Sequence, residues 1–89
     1  MSARPTWAYV LQLENAFNNV TLSEQQVDLA QSIYEQEEKK HKQGLISVND
    51  LMIVQNELIQ NQQNYLQSIA EFLAADLELK KLTNNISNN

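Results

Sequence analysis

The chain has 89 residues and a formal net charge of −5. This length accommodates one small domain. The absence of cysteine excludes a disulfide framework and a thiolate zinc site. The acidic balance argues against nucleic acid as the partner, because binding to phosphate requires a basic surface.

Turn-forming residues are scarce, since the chain contains a single glycine, Gly44, and a single proline, Pro5. An average domain carries about 7% glycine and about 5% proline. The abundant residues (Leu, Gln, Glu, Ala and Lys) favour helix, and no strand-favouring run occurs. The composition therefore predicts an all-α protein with few, long elements.

The first predicted helix covers about residues 5–43. Thr21–Glu24 has the spacing of a capping box, but the apolar pattern passes through it without a change of phase, so we predict one continuous helix. Lys39–Lys42 would place four cations or partial cations at the negative end of the helix dipole. Gly44 then supplies the left-handed residue that commonly ends a helix.

The second predicted helix covers about residues 48–82. Ser47 is a good N-cap, and Asp50 is its acidic partner three positions on. A turn as short as 44–47 makes the two helices antiparallel. The expected fold is a single long, coiled-coil-like hairpin forming one domain, with a frayed polar tail over residues 83–89.

Apolar residues recur every seven positions in more than one column on each helix. The main column of the second helix contains Leu51, Leu58, Tyr65, Phe72 and Leu79. A further column, about 100° round the helix, contains Met52, Ile59, Leu66 and Leu73. The main column of the first helix contains Leu13, Val20, Val27 and Tyr34. A further pair, about 150° away from it, contains Leu22 and Leu29.

A two-helix hairpin buries one column per helix, so the additional columns predict interaction surfaces. The hairpin also lacks a third layer with which to complete a core. Neighbouring helices are therefore expected. The nearly opposite columns of the first helix suit a wall of side-by-side helices, whereas the 100° separation in the second suits a four-helix bundle equally well. Periodicity leaves that choice open.

No motif indicates catalysis, a cofactor or a metal site. His41 is the only histidine and has lysine neighbours, so we expect it to be solvated. The carboxylates fall in polar columns that we expect to be exposed, which gives no environment for a catalytic pair, and a single glycine cannot form a phosphate-binding loop. The sequence therefore predicts that the protein is not an enzyme.

Export signals are not evident in the sequence. No apolar run approaches the roughly 18–20 residues of a membrane span. The first residues also lack the apolar region of a signal peptide. If the native protein is exported, its signal is expected to lie outside this sequence.

The turn carries a recognisable pattern: glycine, a few residues, serine or threonine, two residues, aspartate, then leucine. It reads Gly44-Leu45-Ile46-Ser47-Val48-Asn49-Asp50-Leu51. The following helix adds Gln55-Asn56-Glu57-Leu58, Tyr65, Ala70, Ala75, Leu79 and Leu82-Thr83, and the preceding helix adds Val20, Leu22, Leu29-Ala30 and Tyr34. This register resembles the repeated helical hairpin of TolC-like outer membrane efflux proteins of Gram-negative bacteria.

Two positions depart from the family pattern. His41 stands where an aromatic residue often precedes the glycine, and Asn84 stands where a glycine often closes the helix. Family members are also several times longer, with two such hairpins and β-strands that build a membrane barrel. The resemblance therefore implies a periplasmic piece of a larger outer membrane channel.

The resemblance implies a homotrimer in which the hairpins line up as a hollow tunnel across the periplasm. The hairpin tips would form the entrance that meets a periplasmic adaptor protein, and an inner-membrane pump would supply the exported substrate. The implied tip residues are Gly44, Leu45, Ile46, Ser47 and Asp50. Asp50 would also contribute to an acidic ring at that entrance.

Two other functions remain open. Periplasmic adaptor proteins also present long hairpins, usually with an arginine and a leucine before the turn and a serine after it. Ser47 fits that pattern, but Lys40 and His41 replace the arginine signature. The other alternative is a free-standing, self-associating module such as a dimeric four-helix bundle.

Overall fold

The computed structural model describes residues 4–87, which form two helices, α1 (Thr6–Lys42) and α2 (Val48–Ser87). The helices are antiparallel and pack against each other. The molecule measures 68 × 20 × 17 Å. The predicted all-α hairpin is therefore confirmed. Within the described residues, neither helix has a segment sufficiently long and apolar to cross a membrane.

Helix α1 is continuous, as predicted. It begins directly after Pro5, whose missing N–H is not needed in a first turn. The hydroxyl groups of Thr21 and Ser23 donate hydrogen bonds to the carbonyl groups of Phe17 and Asn19, at 3.3 and 2.7 Å. These side chains therefore bond back to the preceding turn of the same helix, rather than capping a new one.

The turn begins with the left-handed glycine that the sequence predicted. Gly44 has φ = 76°, a conformation that glycine adopts without a steric penalty. Its N–H donates to the carbonyl of His41 at 2.9 Å, and the N–H of Leu45 donates to the carbonyl of Lys40 at 2.9 Å. This pair of bonds is a Schellman motif, which satisfies two carbonyl groups at the end of α1.

The start of α2 is capped reciprocally by two residues. The N–H of Asp50 donates to the Ser47 hydroxyl oxygen at 3.2 Å, and the Asp50 carboxylate accepts from the N–H of Ser47 at 3.4 Å. This is the capping-box arrangement, so the predicted N-cap pair is confirmed. Together with the Schellman motif, it joins both ends of the turn to regular helices.

The end of α2 lies further along the chain than predicted. The helix continues to Ser87 instead of ending near Leu82, so residues 83–87 are helical where a frayed tail was expected. The hydroxyl of Thr83 donates to the carbonyl of Leu79 at 3.0 Å, one turn back. A polar sequence by itself does not end a helix. Residues 83–87 contain no glycine or proline that would interrupt the backbone. Residues 88–89 of the predicted tail lie outside the described residues.

The helices meet along their main apolar columns. The members of these columns are buried or half-buried: Leu13, Val20, Val27 and Tyr34 of α1, and Leu51, Leu58, Tyr65, Phe72 and Leu79 of α2. Small buried residues lie beside the columns, namely Ala16, Ala30, Ser68 and Ala75. In the described part of the chain no large side chain is fully buried. The core is therefore one layer thick and open along both edges.

His41 is half-buried, which corrects the expectation that it is solvated. It lies seven residues after Tyr34 and so continues the main column of α1. Lysines flank it in sequence, but their side chains leave a helix in other directions than that of His41. Position within the heptad therefore decided the exposure of this residue, and the polarity of its neighbours did not.

Candidate interaction surfaces

The hairpin tip presents apolar side chains to solvent. Leu45 is 68% exposed and Val48 is 56% exposed. Ile46 is half-buried between them. The Schellman motif and the capping box fix the backbone on both sides of these residues, so the tip projects an apolar pair from a well-defined turn.

The predicted tip residues fall into two groups by role. Gly44, Ser47 and Asp50 are all exposed, but their observed contacts set the shape of the turn. Leu45 is the residue whose side chain is most available for contact with another molecule. The Asp50 carboxylate is engaged with the Ser47 N–H, so a place for it in an acidic ring stays a prediction.

The cations next to the tip are partly neutralised by carboxylates of the same helix. Lys40 Nζ lies 3.0 Å from Glu37 Oε1, and Lys42 Nζ lies 3.8 Å from Glu38 Oε1. Exposed pairs of this kind contribute about 0.3–0.5 kcal/mol each. They moderate the positive charge at the end of α1 without forming a discrete anion site.

Helix α2 exposes a long apolar stripe on its outer side, which we call the Leu66 column. Its members are separated by seven residues and are between 43% and 64% exposed: Met52 50%, Ile59 43%, Leu66 64% and Leu73 58%. From the first member to the last, the stripe extends for about 32 Å at 1.5 Å per residue. An exposed apolar column of this length is a candidate interaction surface.

Helix α1 exposes a shorter apolar surface, which we call the Leu29 pair. Leu22 is 52% exposed and Leu29 is 62% exposed. Leu29 also lines a shallow groove between the helices, together with Ile33, Glu57 and Asn61. The Leu29 pair therefore lies on the side of the hairpin that carries Glu57.

The Leu66 column and the Leu29 pair face opposite sides of the hairpin. Glu57 precedes Leu58 and Ile59 follows it, so their side chains lie about 100° to either side of the buried leucine. The side that carries Glu57 also carries Leu29. Ile59, a member of the Leu66 column, lies on the opposite side. The molecule consequently has an apolar surface on each of two opposing sides.

A further group of exposed side chains lies near the open end of the hairpin and belongs to none of the columns assigned from the sequence. Trp7 is 68% exposed and lines a groove with Leu11 and Ala75. Phe17 is 56% exposed, although its ring lies 5.9 Å from that of Phe72. The seven-residue spacing from Val10 to Phe17 was the signal that could have indicated a third apolar column on α1.

Most of the titratable groups make their contacts with residues of the same helix. Burial and the neighbouring Glu38 carboxylate raise the pKa of Tyr34, whose hydroxyl donates a hydrogen bond to that carboxylate at 3.2 Å. Among the described residues, no group of three or more His, Cys, Asp or Glu side chains is placed to hold a metal ion.

Comparisons of the chain with protein-family models, with curated proteins and with solved structures found no match.

Proposed function

We propose that the chain is a structural hairpin of the periplasmic tunnel of an outer membrane efflux or type I secretion channel. Its tip would dock a periplasmic adaptor protein. The observation that carries the proposal is the pair of apolar surfaces on opposing sides of one hairpin. The resemblance of the segment from Gly44 to Leu51 to TolC-like proteins supports this class of channel.

The two opposing surfaces favour a wall of helices. A hairpin with one apolar side is completed by a single neighbour, whereas a hairpin with two opposing apolar sides takes a neighbour on each. Repetition of such contacts gives a ring when the rotation between neighbours closes. In the proposed channel the Leu66 column and the Leu29 pair would each pack against an adjacent helix, and three full-length chains would close the tunnel.

The length and the narrow cross-section of the hairpin suit a wall. The molecule is 68 Å long and at most 20 Å wide, and no large side chain of the described residues is fully buried. A layer this thin leaves surface outside the Leu66 column and the Leu29 pair exposed, and that surface can line a passage. The membrane-inserted part of the channel would be supplied by segments other than this hairpin.

The tip favours docking by its geometry. Leu45 and Val48 are apolar and exposed, and the turn that carries them is fixed by hydrogen bonds at both ends. A fixed apolar pair loses little conformational entropy on binding. It would insert between the helices of an adaptor hairpin, at the entrance that connects the channel to an inner-membrane pump.

Docking can be tested by binding purified periplasmic adaptor hairpins to the chain displayed at high density on a sensor surface. Leu45→Asp should weaken binding at least tenfold, because it places a charge in the apolar contact. Leu77→Asp is the matched control, since Leu77 is also exposed (53%) but lies on α2 far from the tip and outside the Leu66 column and the Leu29 pair. This control should bind like the unmodified chain.

Two results would contradict the proposed docking. One is equal binding by Leu45→Asp and the unmodified chain. The other is the absence of binding to every adaptor hairpin at high display density. Circular dichroism of each variant, run in parallel, identifies any variant that has lost its helices.

A further inference from the structure

The outer surface of α2 is uncharged over most of its length. Between residues 51 and 75 the charged side chains are Glu57 and Glu71, and both lie in the column on the other side of Leu58 and Phe72. The Leu66 column is flanked instead by amide side chains, namely Gln55, Asn56, Gln60, Gln62, Gln63 and Gln67. This neutral apolar surface contrasts with the net charge of −5 of the whole chain.

A surface of this chemistry is compatible with a second copy of itself. Two acidic chains repel each other where their carboxylates come close together. The Leu66 column contains no carboxylate, so two copies can approach each other along it. Amide side chains carry both donors and acceptors, so identical amide rims can hydrogen-bond across a twofold axis. Carboxylates accept only, so the Glu57 side cannot pair with itself in this way.

We infer that the isolated chain forms a dimer in which two α2 helices pack antiparallel along their Leu66 columns. The twofold axis passes between Gln62 and Gln63. Ile59 then lies opposite Leu66 of the second copy, and Met52 lies opposite Leu73 of the second copy. The interface is isologous, because each copy contributes the same residues.

The helix dipoles favour the antiparallel arrangement over the parallel one. A parallel pair would align the dipoles of the two α2 helices. The antiparallel pair separates the two tips by on the order of 50 Å along the helix axis and sets the helix dipoles in opposition.

The surface is tested by sedimentation equilibrium on two matched variants of the full chain. Leu66 is 64% exposed and Leu29 is 62% exposed, so an aspartate has a similar effect on the folded hairpin at either position. Leu66→Asp should weaken self-association at least a hundredfold while the chain remains helical. Leu29→Asp should leave the dimer intact. Equal weakening by both, or a monomeric unmodified chain at high micromolar concentration, would overturn the inference.

The register is tested by disulfide trapping, for which the chain is suited because it has no native cysteine. An equimolar mixture of Ile59→Cys and Leu66→Cys chains should form a mixed disulfide rapidly under mild oxidation. Neither variant alone should do so, because identical residues lie about 10 Å apart along the axis and a disulfide requires Cα atoms within about 7 Å. Faster trapping of Ile59→Cys alone would indicate a parallel pair and refute the arrangement.

The dimer and the proposed adaptor docking use different residues, and the dimer does not rest on the proposed function. Leu45→Asp should remove docking and retain the dimer. Leu66→Asp should abolish the dimer and leave docking by the tip unchanged. The failure of either idea is therefore distinguishable from the failure of the other.

Discussion

Ser47 and Asp50 cap α2 reciprocally: the Asp50 N–H donates to the Ser47 hydroxyl at 3.2 Å, and the Ser47 N–H donates to the Asp50 carboxylate at 3.4 Å. Two N–H groups at the start of the helix thereby gain acceptors that the helix itself cannot supply. The pair lies immediately after the turn, so it also determines the direction in which α2 leaves the tip.

Ser47→Ala should destabilise the hairpin by about 1 kcal/mol, since the hydroxyl acceptor is lost from the N-cap. The measurement is urea unfolding followed by circular dichroism at a fixed protein concentration. Ser32→Ala is the matched control, because Ser32 is exposed in the middle of α1 and alanine is the better helix former there. An equal loss of stability in both variants would contradict the capping role.

Gly44→Ala should destabilise the hairpin by about 1–2 kcal/mol, because alanine pays a steric penalty in the left-handed region. A Cβ atom at this position would have no heavy atom within 4 Å, so the cost is confined to the backbone. Gly44→Asn should therefore cost less, since asparagine adopts this conformation more readily than alanine. Urea unfolding compares the two. A greater loss from asparagine would show that the penalty is not conformational.

Leu58→Ala should destabilise the hairpin by about 2 kcal/mol, at the lower end of the range for a buried leucine, because the core is open at its edges. Leu58 is 8% exposed and Leu29 is 62% exposed. Leu29→Ala should accordingly change the free energy of unfolding by about 0.5 kcal/mol or less. Thermal and urea unfolding of both variants provide the comparison. Similar losses would mean that the buried column does not stabilise the pair.

Glu38→Gln should lower the pKa of Tyr34, since the Glu38 carboxylate disfavours the tyrosinate and accepts its hydrogen bond. Absorbance near 295 nm reports this titration cleanly in a Tyr9→Phe, Tyr65→Phe background, where Tyr34 is the one remaining tyrosine. Glu14→Gln serves as the control and should leave the midpoint unchanged. An unchanged midpoint in Glu38→Gln would exclude the proposed coupling.

The direction of the resulting pH dependence follows from linkage. The pKa of Tyr34 is higher in the folded chain than in the unfolded one, so the folded state retains the proton more strongly. The associated stability is present below about pH 10, the ordinary range of tyrosine, and is lost as the pH rises through the folded pKa. Tyr34→Phe should make the decline of stability in alkali less steep.

Particular residues show why the fold was predictable from the sequence. Gly44 is the only residue in the chain without a Cβ, so it was the one position at which a left-handed turn carries no steric penalty. Ser47 and Asp50 have the spacing of a capping box, which is a local property. The end of α2 was less predictable, because residues 83–87 contain no residue that enforces either continuation or termination.

The exposure of individual residues was less predictable than the course of the helices. His41 is half-buried although its neighbours in sequence are lysines, and Phe17 is exposed although it is aromatic. Exposure depends on the angular position of a residue relative to the second helix. The composition of the surrounding segment does not contain that information.

By itself, the sequence determined the two helices, the turn between them and the presence of more apolar columns than one hairpin can bury, since each of these follows from local conformational preference or from a seven-residue spacing. The tertiary structure decided which columns pack inside and on which side of the hairpin the others emerge. Those directions depend on the rotation of each helix about its own axis, which the contact between α1 and α2 sets. That rotation places Leu29 and Leu66 on opposing sides of the same molecule.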